Sequence, residues 1–196
     1  MRQQPLWFRR AALLAATCVS VGIVCAGASA AAGRGPFSWF KPASPPASWE
    51  ALALPSGSAV LFFPPSMHPI GADAGSVSAA QGSYGHYLAY LNATPQQGNE
   101  QLSTWPTFRL ERLREENGEP AQLVARAFDL PFRGGKGSCV IDDYFTHHKL
   151  RHFREIACLV RGRSTGSVVV AAAPRADWGR VGPQLERAVA DYRARR

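Results

Sequence analysis

Recognisable catalytic spacing is what this sequence has least of. No H-E-x-x-H helix occurs in its 196 residues. No serine is expected to act as a nucleophile of the G-x-S-x-G or S-x-x-K kind. Cysteine numbers 4 and histidine 5, so a thiol or metal site has few residues to draw on. Lysine is scarce beside arginine, and no basic stripe with interleaved aromatics is found, which argues against nucleic acid as a partner. The run Arg133-Gly134-Gly135-Lys136-Gly137-Ser138 fails as a phosphate loop. No glycine stands five positions before Gly135, Gly137 follows the lysine, and a strand rather than a helix is expected next. No internal repeat is visible, and no cofactor is implied by any motif.

What is there begins with an address. Met1 to Arg10 is a basic segment, and Ala11 to Ala32 carries no charge. Ala28-Ser29-Ala30 is an A-x-A cleavage pattern, and the apolar run is also long enough to cross a bilayer. Residues 1–32 are therefore read as a cleaved signal peptide or an N-terminal membrane anchor. Either places the rest outside the cytoplasm, because the positive end stays inside. Residues 33–48, rich in Pro, Ser and Gly, read as a stiff tether. Phe37, Trp39 and Phe40 could then lie at a membrane interface. Residues 49–196 read as one domain, long enough to bury its own core. The formal charge of +8 is partly carried by Arg2, Arg9 and Arg10 in the leading segment. Arg187, Arg193, Arg195 and Arg196 read most simply as a solvated helix end; contact with an anionic surface is the alternative.

Hydrophobic periodicity supplies the elements. Ser58 to Ser66 reads as a strand stopped by two prolines, Ser76 to Ala80 as a second and Tyr87 to Asn92 as a third. Asn99 is placed as the cap of a helix through Leu102 and Trp105, which Pro106 breaks or kinks. Strands follow over Leu123–Phe132, Ser138–Thr146, Arg151–Val160 and Ser167–Ala172. In the first of these, Val124, Phe128, Leu130 and Phe132 share a face. Asp177 opens a closing helix with Trp178, Val181, Leu185, Ala188, Val189 and Tyr192 inward. The fold class is α+β: an antiparallel sheet of six to seven strands flanked by two main helices.

The segment Gly137–Val160 concentrates the residues that do chemistry. If it is a hairpin whose opposed residue numbers sum to 297, Cys139 faces Cys158, Ile141 faces Ile156, Asp143 faces Arg154 and Phe145 faces His152. Each is a favourable cross-strand pair, and a slip by one residue would remove them together. Opposed α-carbons at non-hydrogen-bonded positions lie about 4.5 Å apart, within disulfide reach. A Cys139–Cys158 disulfide is expected in an oxidising compartment. The misfit is Asp142 opposite Glu155, two like charges. Three answers are open: the two splay into solvent, one carries a raised pKa, or a cation sits between them. The histidines are the other metal candidates: His147 and His148 at the loop tip, with His152 beside Phe145. A zinc site would need three or four convergent ligands, and bonded cysteines cannot serve.

Read together, ALPSGSAVLFFPPSM (53–67), YLNATPQQG (90–98), GSCVIDDY (137–144), REIACLV (154–160) and VVVAAAP (168–174) resemble exported or membrane-anchored proteins of actinobacteria. The element order over Trp49 to Tyr192 is more distantly similar to the PsbP-like fold. That fold includes the extrinsic photosystem protein PsbP, a nuclear Ran-binding protein and mycobacterial Lpq-type lipoproteins. The resemblance implies an antiparallel sheet with helices on both sides and a role in binding or assembly; it carries over no site residue. The function expected is a non-enzymatic extracytoplasmic accessory or binding domain at the cell envelope, its partner an unknown envelope protein or ligand. The alternative is a metal-assisted envelope hydrolase using Asp142, Glu155 and the nearby histidines.

Overall fold

A computed structural model of the chain describes residues 35–83, 86–146 and 151–195. The segment 1–32, read as signal or anchor, lies outside the described residues, as do His147 and His148. In chain order the elements are β1 (Glu50–Ala53), β2 (Ala59–Phe63), β3 (His68–Ile70), β4 (Val77–Ser83), β5 (His86–Pro95), α1 (Trp105–Asn117), β6 (Gln122–Leu130), β7 (Lys136–Phe145), β8 (His152–Arg161), β9 (Gly166–Pro174), α2 (Trp178–Asp191) and β10 (Arg193–Ala194). Seven strands form the main sheet in the order β3-β4-β5-β9-β8-β7-β6, and β1-β2-β10 form a small second sheet. Every neighbouring pair is antiparallel. This is the α+β architecture the periodicity predicts. The short strands β1, β3 and β10 were not legible, being too brief for a period to show.

The two faces of the main sheet are covered unequally. On one, α2 and β2 bury the chief core, built from Leu61, Phe63, Leu91, Ile156, Val160, Leu185 and their neighbours. Trp178, Val181, Leu185, Ala188 and Val189 recur at helical spacing and point inward, as the sequence predicts. On the other face α1 covers a smaller cluster of Trp105, Val140, Ala157, Leu159 and Val168. The outcome for α1 differs from the sequence reading. Thr104, not Asn99, stands at its N-cap, and Pro106 lies in the first turn. A proline there starts a helix rather than breaking one, because its missing N–H has no intrahelical partner to lose. Gly118 closes the helix in the left-handed conformation.

Two further expectations are corrected. In β6 the register shifts twice, between Leu123 and Ala125 and between Ala127 and Leu130. These bulges break the alternation, so Val124 and Phe128 stay exposed while Phe132 is buried beyond the strand. Residues 35–48 do not run free as a tether. Phe37, Trp39 and Phe40 pack against the main core, and the Phe40 ring stands edge-on to Phe132 at 4.8 Å. Asp191 accepts a bond from the Ala43 N–H at 3.2 Å, while Arg133 and Arg187 donate to the carbonyls of Ala43 and Ser44, both at 3.0 Å. The aromatic residues in this strap find apolar surface on the domain itself, which removes the reason to assign them to a membrane interface.

The β7–β8 hairpin has the register derived from the sequence, from Lys136 opposite Arg161 to Phe145 opposite His152. Cys139 and Cys158 are both fully buried and joined by a disulfide, their α-carbons 4.1 Å apart. The bond closes a loop of 19 residues in sequence separation. Replacing both cysteines by alanine should lower unfolding stability by about 3 kcal/mol through the larger entropy of the open denatured chain. Reductant should then shift the denaturation midpoint of the wild type and leave the double variant unmoved; equal midpoints in all conditions would show that the bond contributes nothing.

Candidate functional site

Helix α1 covers only part of its face of the sheet, and the uncovered part forms a groove of about 860 Å³. Its floor is laid by alternate residues of adjacent strands: Tyr90, Asn92 and Thr94 from β5, Val168, Val170 and Ala172 from β9, and Glu155 from β8. One wall is α1, presenting Trp105, Phe108, Arg109 and Arg112. Carboxylates crowd the rim: Asp73, Glu100, Glu111, Glu115 and Glu116. The floor's polar side is internally knitted. Asn92 donates to Ser78 Oγ at 2.9 Å, Ser78 meets the Tyr90 hydroxyl at 3.2 Å, and Ser76 donates to Thr94 Oγ1 at 2.9 Å.

Trp105, Arg109 and Leu113 stand four residues apart, so one helix face carries all three toward the sheet. The Trp105 indole N–H donates to the Ala157 carbonyl at 3.0 Å. One turn later, Arg109 grips Glu155 with two hydrogen bonds, Nε to Oε1 at 2.6 Å and Nη2 to Oε2 at 2.8 Å. The side chains are 16% and 2% exposed, so the pair is largely out of water. Bidentate geometry is what makes such a pair tolerable at depth. Burial alone would lower the Arg109 pKa, but Glu155 overrides it and raises the guanidinium's affinity for its proton.

The Asp142–Glu155 misfit therefore has a protein answer: the positive charge against Glu155 is Arg109. Asp142 is left with no share of it. It is fully buried, and neither carboxyl oxygen has a hydrogen-bond partner. Burial first, and then the negative charge of Glu155, push its pKa up to about 9 despite opposition from Arg109. Asp142 is thus a neutral acid at pH 7. Its neighbour Asp143 points to the opposite face and behaves in the opposite way. Burial would raise its pKa, but Arg154, with bonds of 2.7 and 2.8 Å, and Arg175, at 3.3 Å, hold it below the ordinary value.

The other candidates do not converge. His152 is exposed and stacks on Phe145, ring centroids 4.4 Å apart. Among the described residues, no group of three or more His, Cys, Asp and Glu side chains is gathered as a metal cage. Two serines stand in nucleophile spacing that the sequence reading passed over. Gly162-Arg163-Ser164-Thr165-Gly166 spells G-x-S-x-G, but it forms the tight turn between β8 and β9, closed by a Gly162 N–H to Thr165 carbonyl bond of 2.9 Å. A strand follows it where an elbow needs a helix. Ser38 and Lys41 make S-x-x-K in the strap, where both are exposed, the serine on a turn and the lysine just past it, with no helix between them. Arg109 and Phe108 are not among the site residues expected from sequence, because Pro106 reads as a break or kink and the segment after it reads as either a second helical piece or a strand. The Trp105–Arg109–Leu113 spacing was the signal that could have found them.

No family model matches the sequence, and no curated protein matches it either. Solved structures do. Cyanobacterial PsbP (CyanoP) from Synechocystis sp. PCC 6803 superposes with a TM-score of 0.57 at 9% identity, over 77% of this chain and 95% of that one. The chain has the fold of CyanoP. At that identity the likeness is one of fold alone. A Bacteroides thetaiotaomicron protein aligns at TM-score 0.46 and 13% identity, covering 76% of this chain but only 49% of its own, so this chain spans about half of it. LpqN of Mycobacterium tuberculosis, described as involved in cell envelope biogenesis, aligns at TM-score 0.37 and 14% identity over 78% of this chain and 81% of that one.

Arg109→Met should cost about 3 kcal/mol or more, because it strands a buried carboxylate; unfolding in urea with an unchanged slope is the check. The sign for Asp142 follows from its raised pKa. Its contribution is fully present below the unfolded carboxyl's ordinary pKa of 3.8 and is lost as pH rises through about 9. Asp142→Asn should therefore gain on the wild type by something on the order of a few kcal/mol between pH 4 and pH 9. A stability difference between the two that stays constant over this range would refute a neutral Asp142.

Proposed function

We propose that the chain is a non-enzymatic extracytoplasmic accessory domain at the cell envelope, and that the groove beside α1 is its binding surface. The groove's composition carries this reading: a mixed floor, with Asn92 and Thr94 beside Val168, Val170 and Ala172, below a carboxylate rim, and with its one deeply set charge pair already satisfied internally. Asp73 and Glu111 have no cationic partner among the described residues, so the occupant that fits is a positively charged polypeptide segment of an envelope protein. The address in residues 1–32 and a disulfide buried in the core support export to an oxidising compartment. The fold shared with CyanoP is compatible with binding and decides no partner.

A photo-crosslinking residue at Phe108, 41% exposed in the groove wall, tests this in the full chain within native envelope. The expected product is one envelope protein joined through a Lys- or Arg-bearing peptide, lost when Glu111→Lys is added and not formed from the same crosslinker at Phe128. Products that ignore Glu111→Lys would overturn the groove as the binding surface. Stoichiometric metal on the purified protein together with hydrolysis of an envelope substrate would overturn the non-enzymatic reading.

A further inference from the structure

Basic residues from five parts of the sequence meet at one end of the domain. The β6–β7 turn brings Arg133, the β8–β9 turn brings Arg163, β10 and the residue after it bring Arg193 and Arg195, the strap brings Lys41, and α2 brings Arg187. Backbone contacts fix this meeting. Arg133 bridges Arg193, and the Ala194 N–H donates to the Arg133 carbonyl at 3.0 Å. The Arg195 N–H donates to the Ser58 carbonyl at 2.7 Å. The β8–β9 turn lies against the same segment, since a Cβ on Gly162 would sit 3.1 Å from the Arg195 carbonyl oxygen. Gly134, in the left-handed conformation at φ +82°, lets the other turn close on Ala194, whose carbonyl a side chain there would strike.

The charges at this end are not neutralised from within. Lys41, Arg163, Arg193 and Arg195 are exposed. Among the described residues, none of these four nor Arg133 forms an ion pair with a carboxylate, and the nearby Asp191 is taken by Arg187 at 2.6 Å. No acidic residue precedes Glu50 in the chain, so the strap brings only positive charge. Like charges gathered without counter-charges cost stability, a cost that an opposing anionic surface removes. The strap, residues 37–44, packs at this same end, so the described chain starts beside the basic surface.

We propose that this basic end docks on an anionic lipid surface, with Arg133, Arg163, Arg193, Arg195 and Lys41 against the headgroups. None of these five residues lines the groove, and each basic side chain near an anionic leaflet contributes enough for about a fivefold change in occupancy.

Arginine footprinting of the full chain tests it. Phenylglyoxal is applied with vesicles of phosphatidylcholine alone, and with vesicles containing about one-third phosphatidylglycerol, and modification is read residue by residue by mass spectrometry. Arg163, Arg193 and Arg195 should be protected about fivefold or more in the anionic vesicles only, with Arg112 and Arg180 unchanged. Protection should vanish near 1 M salt, where the screening length is ~3 Å, and persist in Glu111→Lys, which separates this surface from the groove. Equal modification in both vesicles, protection spread over Arg112 and Arg180, or the same protection from inorganic phosphate without vesicles would each overturn the proposal.

Discussion

Everything distinctive in this domain depends on the register between β7 and β8. Cys139 opposite Cys158 and Ile141 opposite Ile156 commit one face of the hairpin to the α2 core. Because the side-chain period in a strand is two, Asp142 and Glu155 must then fall together on the α1 face, and Asp143 with Arg154 on the other. The disulfide fixes this arrangement covalently at its middle. A slip by one residue would bring Asp142 and Glu155 into an apolar core that holds no guanidinium to receive them, which makes the register strongly specified.

That placement sets the terms on which α1 can dock. The helix has only three buried residues, Trp105, Pro106 and Leu113, so apolar burial holds it weakly. What orients it is polar: the Trp105 bond to the Ala157 carbonyl and the Arg109 fork on Glu155. Buried ion pairs give little net stability compared with apolar packing, but they are directional. Here the direction keeps the helix over β7 and away from β9 and β5, and the groove exists because the helix stops there. Asp142 is the cost of the arrangement. With one guanidinium for two carboxyls, Glu155 takes both of its bonds, and Asp142 is held neutral by burial and by its neighbour.

Much of this was legible in the sequence, and what was not has identifiable causes. The hairpin could be derived to the residue because a register must satisfy several pairs at once, and only one sum satisfied cysteines, aliphatics, charges and aromatics together. The core face of α2 was legible for a similar reason, since six positions agreed on one period. Single local signals did worse. Pro106 reads as a break or a kink, although a proline in the first turn and one in the middle of a helix differ only by where the helix begins. The alternation read into β6 was real in sequence, but two bulges moved Val124 and Phe128 to the surface. The Asp142–Glu155 clash was legible, with solvent, a raised pKa or a bound cation as its possible answers, while the guanidinium that meets Glu155 lay 46 residues away on another element, a separation that no local pattern spans.

The formal charge of +8 hides the organisation that matters most. Averaged over the chain, it suggests a uniformly basic protein. Folding sorts it: carboxylates from residues 73, 100, 111, 115 and 116 meet around one groove, while cations from residues 41, 133, 163, 193 and 195 meet at one end. Three of the carboxylates share the charged run 111–116 of α1, whereas the cations come from four separate segments that only folding brings together. Patches of opposite sign favour ligands of opposite charge, so the two proposed surfaces would select different partners. The strap belongs to the second surface. Its backbone is fixed there by Arg133, which donates to the Ala43 carbonyl, and by Asp191, which accepts from the Ala43 N–H.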